Sequence, residues 1–146
     1  MGVTSCGVLV TDGARLLLGH ATGSARWDIP KGQAEGDEAF EAAARRELAE
    51  ETGLVAPAGV LLSLGVHAYR PGKRLALFAW RVEAVPRPET LACASLFRDR
   101  WGRERPEFDR FGVFGHEEAL GLVGRAMAAV LAPILAAVVR EEGKEG

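Results

Sequence analysis

The sequence is poor in cysteine, in charge of one sign and in long apolar runs. Two cysteines, Cys6 and Cys93, among 146 residues are too few for a disulfide framework or a multi-cysteine metal site. A reducing compartment is expected. Eighteen basic residues against twenty acidic ones leave a net charge of −2, too weak a field to draw the whole molecule to nucleic acid or to an acidic membrane. The most apolar stretch, Ala126 to Val139, carries Pro133 and is shorter than the roughly 20 residues of a membrane span. The N-terminus shows no basic region leading into an apolar run with a cleavage site. No membrane partner and a cytoplasmic location are therefore expected. The chain shows no internal repeat and no linker.

What remains is an ordinary globular composition, 48% hydrophobic and 26% charged. The length suits one domain, residues 1–146. Ser5 to Thr11 is apolar and β-branched and predicts a strand, with Asp12-Gly13 as a hairpin turn and Arg15 to His20 as the partner strand. Ala21 to Gly36 is rich in Gly, Pro and polar residues and predicts a loop. Asp37 to Thr52 contains no proline or internal glycine and predicts a helix, with Asp37 as N-cap and Gly53 as the left-handed residue after it. Val60 to Tyr69 and Leu75 to Val85 predict two strands about a Pro71-Gly72 turn, and Phe111 to Phe114 a short one. Glu117 to Arg140 is helical, and Pro133 is the expected place for a kink or a new start. Strands on both sides of a central helix, with helices closing the chain, predict an α/β fold with a mixed sheet between helices.

The central helix is unusual. On a wheel of about 100° per residue, Phe40, Ala43, Ala44, Glu47 and Glu51 share one sector. Glu50 lies at its margin, and Glu41, Arg45, Ala49 and Thr52 lie opposite. A face that begins as a core face thus ends in carboxylates. Glutamates on helices usually face water. Here two of them sit in the last turn, where the helix dipole disfavours negative charge by about 0.3–1 kcal/mol each, and neighbours at i+3 and i+4 repel. From Gly32 to Leu54 seven acids face two bases, a local charge of −5 that leaves +3 for the rest of the chain. Such a cluster is compatible with a hard divalent cation, magnesium or manganese.

The same segment resembles a known family. Gly32, Glu38, Arg46-Glu47-Leu48, Glu50-Glu51 and Gly53-Leu54 match all nine specified positions of the Nudix box, spacing included. Trp27-Asp28-Ile29-Pro30-Lys31 resembles a Nudix lead-in, and Pro106-Glu107-Phe108-Asp109 with Phe111 and Phe114 resembles the distal segment of some members. The resemblance implies a Nudix-type α/β/α sandwich, a divalent metal and hydrolysis of a phosphoanhydride bond in a nucleoside diphosphate linked to another group. Carried over by position, Glu47, Glu50 and Glu51 are the expected metal ligands, with the Gly32 carbonyl as a further one. Arg46 would orient a carboxylate of the cluster, with Glu50 the first candidate. Glu38, about 180° from Glu47 on the wheel, would join the site from the start of the helix as a supporting group. The resemblance leaves the base open between a box glutamate and one from a distant loop, and Glu107 is the candidate distal base, ahead of Asp109 and Glu83.

Substrate residues are fewer. Lys31 is a candidate phosphate ligand. Tyr69, Lys73 and Arg74, around the Pro71-Gly72 turn, resemble the dinucleoside polyphosphate branch of the family, which is the favoured substrate class. Arg98, Arg100, Arg103 and Arg105 surround Trp101 and would serve removal of pyrophosphate from RNA 5′ ends, although Asp99, Glu104, Glu107 and Asp109 among them make a mixed-charge surface loop the simpler account. ADP-ribose and nucleoside triphosphates stay open, as does a nucleotide-binding sensor that does not cleave. Trp27 is read as a packing residue, His20, His67 and His116 have no metal-like spacing, and Cys6 and Cys93 are read as small buried or half-buried residues. The small residues of Ala126 to Val139 suit either a monomer or a homodimer.

Overall fold

In the computed structural model, the backbone of residues 2–145 and the side chains of residues 2–138 are described. A mixed sheet lies between helices, as the sequence pattern predicts. The strands are β1 (Val3–Thr11), β2 (Arg15–Ala21), β3 (Trp27–Asp28), β4 (Lys31–Gln33), β5 (Leu61–Arg70), β6 (Lys73–Arg81), β7 (Leu96–Arg98), β8 (Glu104–Pro106) and β9 (Phe108–Gly115). The helices are α1 (Phe40–Thr52), α2 (His116–Leu122) and α3 (Arg125–Glu145). Among the described residues no helix is long and apolar enough to cross a membrane.

β1 pairs along its whole length with β6, in parallel. Side chains therefore alternate between two cores. Cys6, Val8, Val10 and Leu17 meet Ala43, Ala44 and Leu48 of α1 on one face. Leu9, Leu16, Leu18, Leu75 and Leu77 meet Ala119 of α2 and Met127, Val130, Leu131 and Leu135 of α3 on the other. Each fully buried leucine contributes roughly 1.5–3 kcal/mol.

The edge of β1 away from β6 matters most for the site. The expected β1–β2 hairpin closes only at its base, where Thr11 faces Leu16. Asp12 Oδ1 stabilises that turn by accepting from the amides of Ala14 (2.9 Å) and Arg15 (2.8 Å). Beyond it the strands part. β4 takes the place beside Ser5, Cys6 and Gly7, and β3 pairs with Gly19 and His20 of β2. The segment expected to be loop therefore supplies two short strands that fill a wedge in the sheet. β9 covers the other edge of β2, with an irregularity between His20 and Ala21. His20 faces Arg110 and Ala21 faces Phe108, so Asp109 is the extra residue of a bulge.

Several boundaries differ from expectation. α1 begins at Phe40 with Ala39 at the N-cap and no side-chain cap, not at Asp37. Glu35 and Glu38 form a turn of their own there, Glu38 N–H to Glu35 O at 2.9 Å. Its end is as predicted, with Gly53 at φ 83° and its amide on Ala49 O. Thr52, placed by the wheel on the outer side, is 1% exposed. Its hydroxyl donates to Leu48 O at 2.6 Å and accepts from the Leu54 amide at 3.0 Å, which satisfies it in the core. The Leu75–Val85 strand ends at Arg81. The C-terminal helices part at Val123 and Gly124, while Pro133 lies inside α3. β7 and β8, not foreseen in the Arg-rich segment, form a separate hairpin.

Gly19 has no room for a side chain, because an added Cβ would overlap the Phe108 ring. Gly19→Ala is expected to cost about 1–3 kcal/mol through overpacking, read as a lower urea midpoint with an unchanged slope.

Candidate active site

A cavity of about 290 Å³ opens in the wedge between β1 and β2. Its walls come from Ala21, Asp28, Ile29, Lys31, Gly32, Glu47, Glu51, Ser95, Glu107 and Phe108. Among the residues singled out from sequence, Lys31, Gly32, Glu47, Glu51 and Glu107 thus come together. Glu47 and Glu51 reach it because α1 lays its buried face along the sheet and ends there.

Glu51 is 7% exposed, and its Oε1 accepts the Lys31 amide at 3.0 Å. Burial, reinforced by the negative charges of Glu47 and Glu107, pushes its pKa up to about 8 against the help of that amide. Burial likewise raises the Glu47 carboxyl, with Glu50 and Glu107 adding to the effect and Arg46 opposing it.

Arg46 is the hub of the acidic cluster. It donates to both oxygens of Glu38 (Nε at 3.0 Å, Nη2 at 2.9 Å), to Glu47 Oε1 at 2.8 Å and to Gln33 O at 3.1 Å. Glu50, the partner first expected for it, pairs with its Nη1 at 3.5 Å from an exposed position and does not line the cavity. Glu38 does approach from the segment before the helix. Its hydrogen bonds with Arg46, together with the Glu35 amide, lower its pKa to about 2. Gly32 leaves room for the Glu47 carboxyl, which a Cβ there would push aside.

Lys31 lines the cavity, but its ammonium is 3.0 Å from Asp28 Oδ2. Burial draws its pKa down, and the charges of Asp28, Tyr69 and Glu51 more than restore it. Glu107 is placed by the bulge in β9 and by two backbone bonds, its amide to Ser95 O at 2.9 Å and its carbonyl from the Thr22 amide at 3.2 Å. Asp109 turns away from the cavity to His20 Nδ1 at 2.8 Å. The His20 ring packs edge-on to Trp27, which packs on Phe114. Tyr69, Lys73 and Arg74 do not line the cavity. Tyr69 packs with the α3-side core, and Arg74 donates to Thr4 Oγ1 at 3.2 Å. Ser95 and the partnership of His20 with Asp109 carried no usable spacing signal, and Phe108 stood in the distal segment without a role. Asp28 stood in the lead-in without a role.

The donor set suits a hard divalent cation. The carboxyls of Glu47 and Glu51 share the wall with Gly32, and burial makes the anionic form of each costly, a cost that a cation would relieve. Among the described residues no three His, Cys, Asp or Glu side chains are gathered into a ready-made metal cage. Arg46 and the Lys31 amide hold the carboxylates instead.

Glu51 sets a pH dependence. Its folded pKa of about 8 lies above the ordinary 4.5, so its contribution to stability is full below the ordinary value and is lost as pH rises through the folded one. Without divalent ions, the melting temperature is expected to fall between pH 5 and 8. Glu51→Gln should flatten that fall, and magnesium should restore stability most at the alkaline end. Calorimetry in chelator and in magnesium checks all three.

Comparison with known proteins bears on the fold and the family. An uncharacterized 17.7 kDa protein from the e-segB intergenic region of Enterobacteria phage T4 is 32% identical over 142 residues, covering 90% of this chain and 94% of that protein. The fold is similar to the MutT mutator protein of Bacillus halodurans (TM-score 0.62, 17% identity, 91% of this chain and 82% of that one). It is also similar to a Nudix hydrolase from Nitrosomonas europaea (TM-score 0.61, 16% identity, 92% and 70%). The model of the NUDIX domain matches residues 2–138, so the chain belongs to the Nudix family and is a hydrolase of pyrophosphate bonds.

Proposed function

We propose that the chain cleaves a phosphoanhydride bond in a nucleoside diphosphate linked to a further group, with magnesium or manganese held by Glu47, Glu50, Glu51 and the Gly32 carbonyl. The observation that carries this reading is the convergence of Glu47, Glu51 and Glu107, from two distant parts of the chain, on one small cavity. When bound, the cation neutralises phosphoryl oxygens and lowers the pKa of water. Glu107 takes the proton from the attacking water. Arg46 keeps Glu47 turned toward the cavity, and Glu38 and Gln33 keep Arg46 in place. Lys31, paired with Asp28, adds a cation to the wall that an anionic substrate would meet. Nucleotide is therefore the proposed substrate class. The dinucleoside polyphosphate reading has less support, since Tyr69, Lys73 and Arg74 lie off the cavity wall.

Glu51→Gln is expected to lower turnover by several orders of magnitude with the fold intact by circular dichroism. Near wild-type activity in that variant would remove the ligand assignment. Glu107→Gln should lower kcat by about 10²–10⁴-fold while the magnesium concentration for half-maximal rate stays the same. A panel of nucleotides hydrolysed in oxygen-labelled water identifies the substrate and the phosphorus attacked.

A further inference from the structure

The sequence leaves Arg98 to Arg105 as a segment whose acids offset its bases. The structure resolves that balance. Asp99 is taken up by the turn between β7 and β8, its Oδ1 accepting from the amides of Trp101 (2.9 Å) and Arg103 (3.0 Å). Glu104 lies across the hairpin from Arg98 at 3.6 Å. Arg103 and Arg105 are exposed and have no anionic partner among the described residues. They stand two residues apart, so in extended chain their side chains point the same way. At the tip, Trp101 is 70% exposed, and the Arg100 guanidinium lies 4.7 Å from its ring centre. The hairpin is rooted in the cleft, because Ser95 and Glu107 at its two feet both line the cavity and are tied to each other at 2.9 Å.

An exposed indole with Arg100 on one face, beside guanidiniums that have no carboxylate partner among the described residues, is the equipment for stacking an unpaired base on the other face and holding its phosphates. A duplex offers no free base face to such a ring. The β7 strand alone spans about 10 Å at roughly 3.3 Å per residue. A ligand that reaches both cleft and tip must therefore extend beyond one nucleotide. We propose that the β7–β8 hairpin is a binding arm for single-stranded RNA whose 5′-terminal phosphates occupy the cleft. A chain started without a primer carries the phosphoanhydride bonds the cleft would cut. This rests on the hydrolase reading above and adds the polymer to it.

The test uses the whole protein, the variants Trp101→Ala and Arg103→Glu/Arg105→Glu, and short single-stranded RNA with either a hydroxyl or a triphosphate at its 5′ end. Anisotropy of labelled 5′-hydroxyl RNA measures the arm without turnover. Each variant is expected to weaken that binding roughly ten-fold. Loss of the two arginines should also reduce the slope of log K against log salt by about 1.4. KM for triphosphate-ended RNA should rise accordingly, with turnover of a mononucleotide unchanged. Equal binding of RNA by wild type and variants would overturn the proposal. So would equal wild-type affinity for single-stranded and duplex RNA, a matching loss of mononucleotide turnover, or a rise in KM confined to dinucleoside polyphosphates. If instead no substrate is hydrolysed while RNA binding still depends on the arm, the hydrolase reading fails and the arm stands.

Discussion

The structure depends on the burial of carboxylates at the end of a core-facing helix. α1 packs Ala43, Ala44 and Leu48 against β1 and then presents Glu51, almost as buried, to the cavity. A charged group in that position is costly unless it is paired, and among the described residues Glu51 is met by the Lys31 amide. The raised pKa values of Glu47 and Glu51 express the same cost. The helix that anchors one half of the core thus also forms a wall of the candidate site.

The wedge between β1 and β2 makes that arrangement possible. Had the two strands paired throughout, backbone would fill the space now bounded by Asp28, Lys31 and Gly32. β3 and β4 satisfy the parted edges without closing them. On the far side, the bulge in β9 changes the register by one residue. Asp109 can then meet His20 while Glu107 and Phe108 reach the cavity. Arg46 organises the opposite wall, and its links to Glu38, Gln33 and Glu47 join the loop before α1 to the helix itself. Removing any single partner would leave a guanidinium or a carboxylate with unmet hydrogen bonds.

Local patterns were legible where one residue type decides the outcome. Gly53 ended α1 as expected because only a left-handed residue suits that position. Pro71-Gly72 joined β5 to β6 as a two-residue turn. The start of α1 was misjudged because Asp37 is a good cap in isolation, whereas Glu35 and Glu38 make a turn serving Arg46. Pro133 did not divide the last helix. The break falls instead at Val123 and Gly124, and an added Cβ at Gly124 would approach Arg26 Nε within 3.2 Å. β3, β4, β7 and β8 were hidden because strands of two or three residues are too short to show a period.

The sequence by itself determined the family and the acidic half of the site. The box residues lie on one helix and its entry loop, so their relative placement follows from local geometry. Only the tertiary structure decided which residues complete the cavity. Asp28, Ser95, Glu107 and Phe108 come from three segments whose meeting depends on the parting of β1 from β2 and on a bulge in β9, and such long-range register leaves no periodic trace in the chain. The same holds for the β7–β8 hairpin, where Asp99 is held by turn amides and Glu104 by a cross-strand arginine, partners that meet only once the chain has folded.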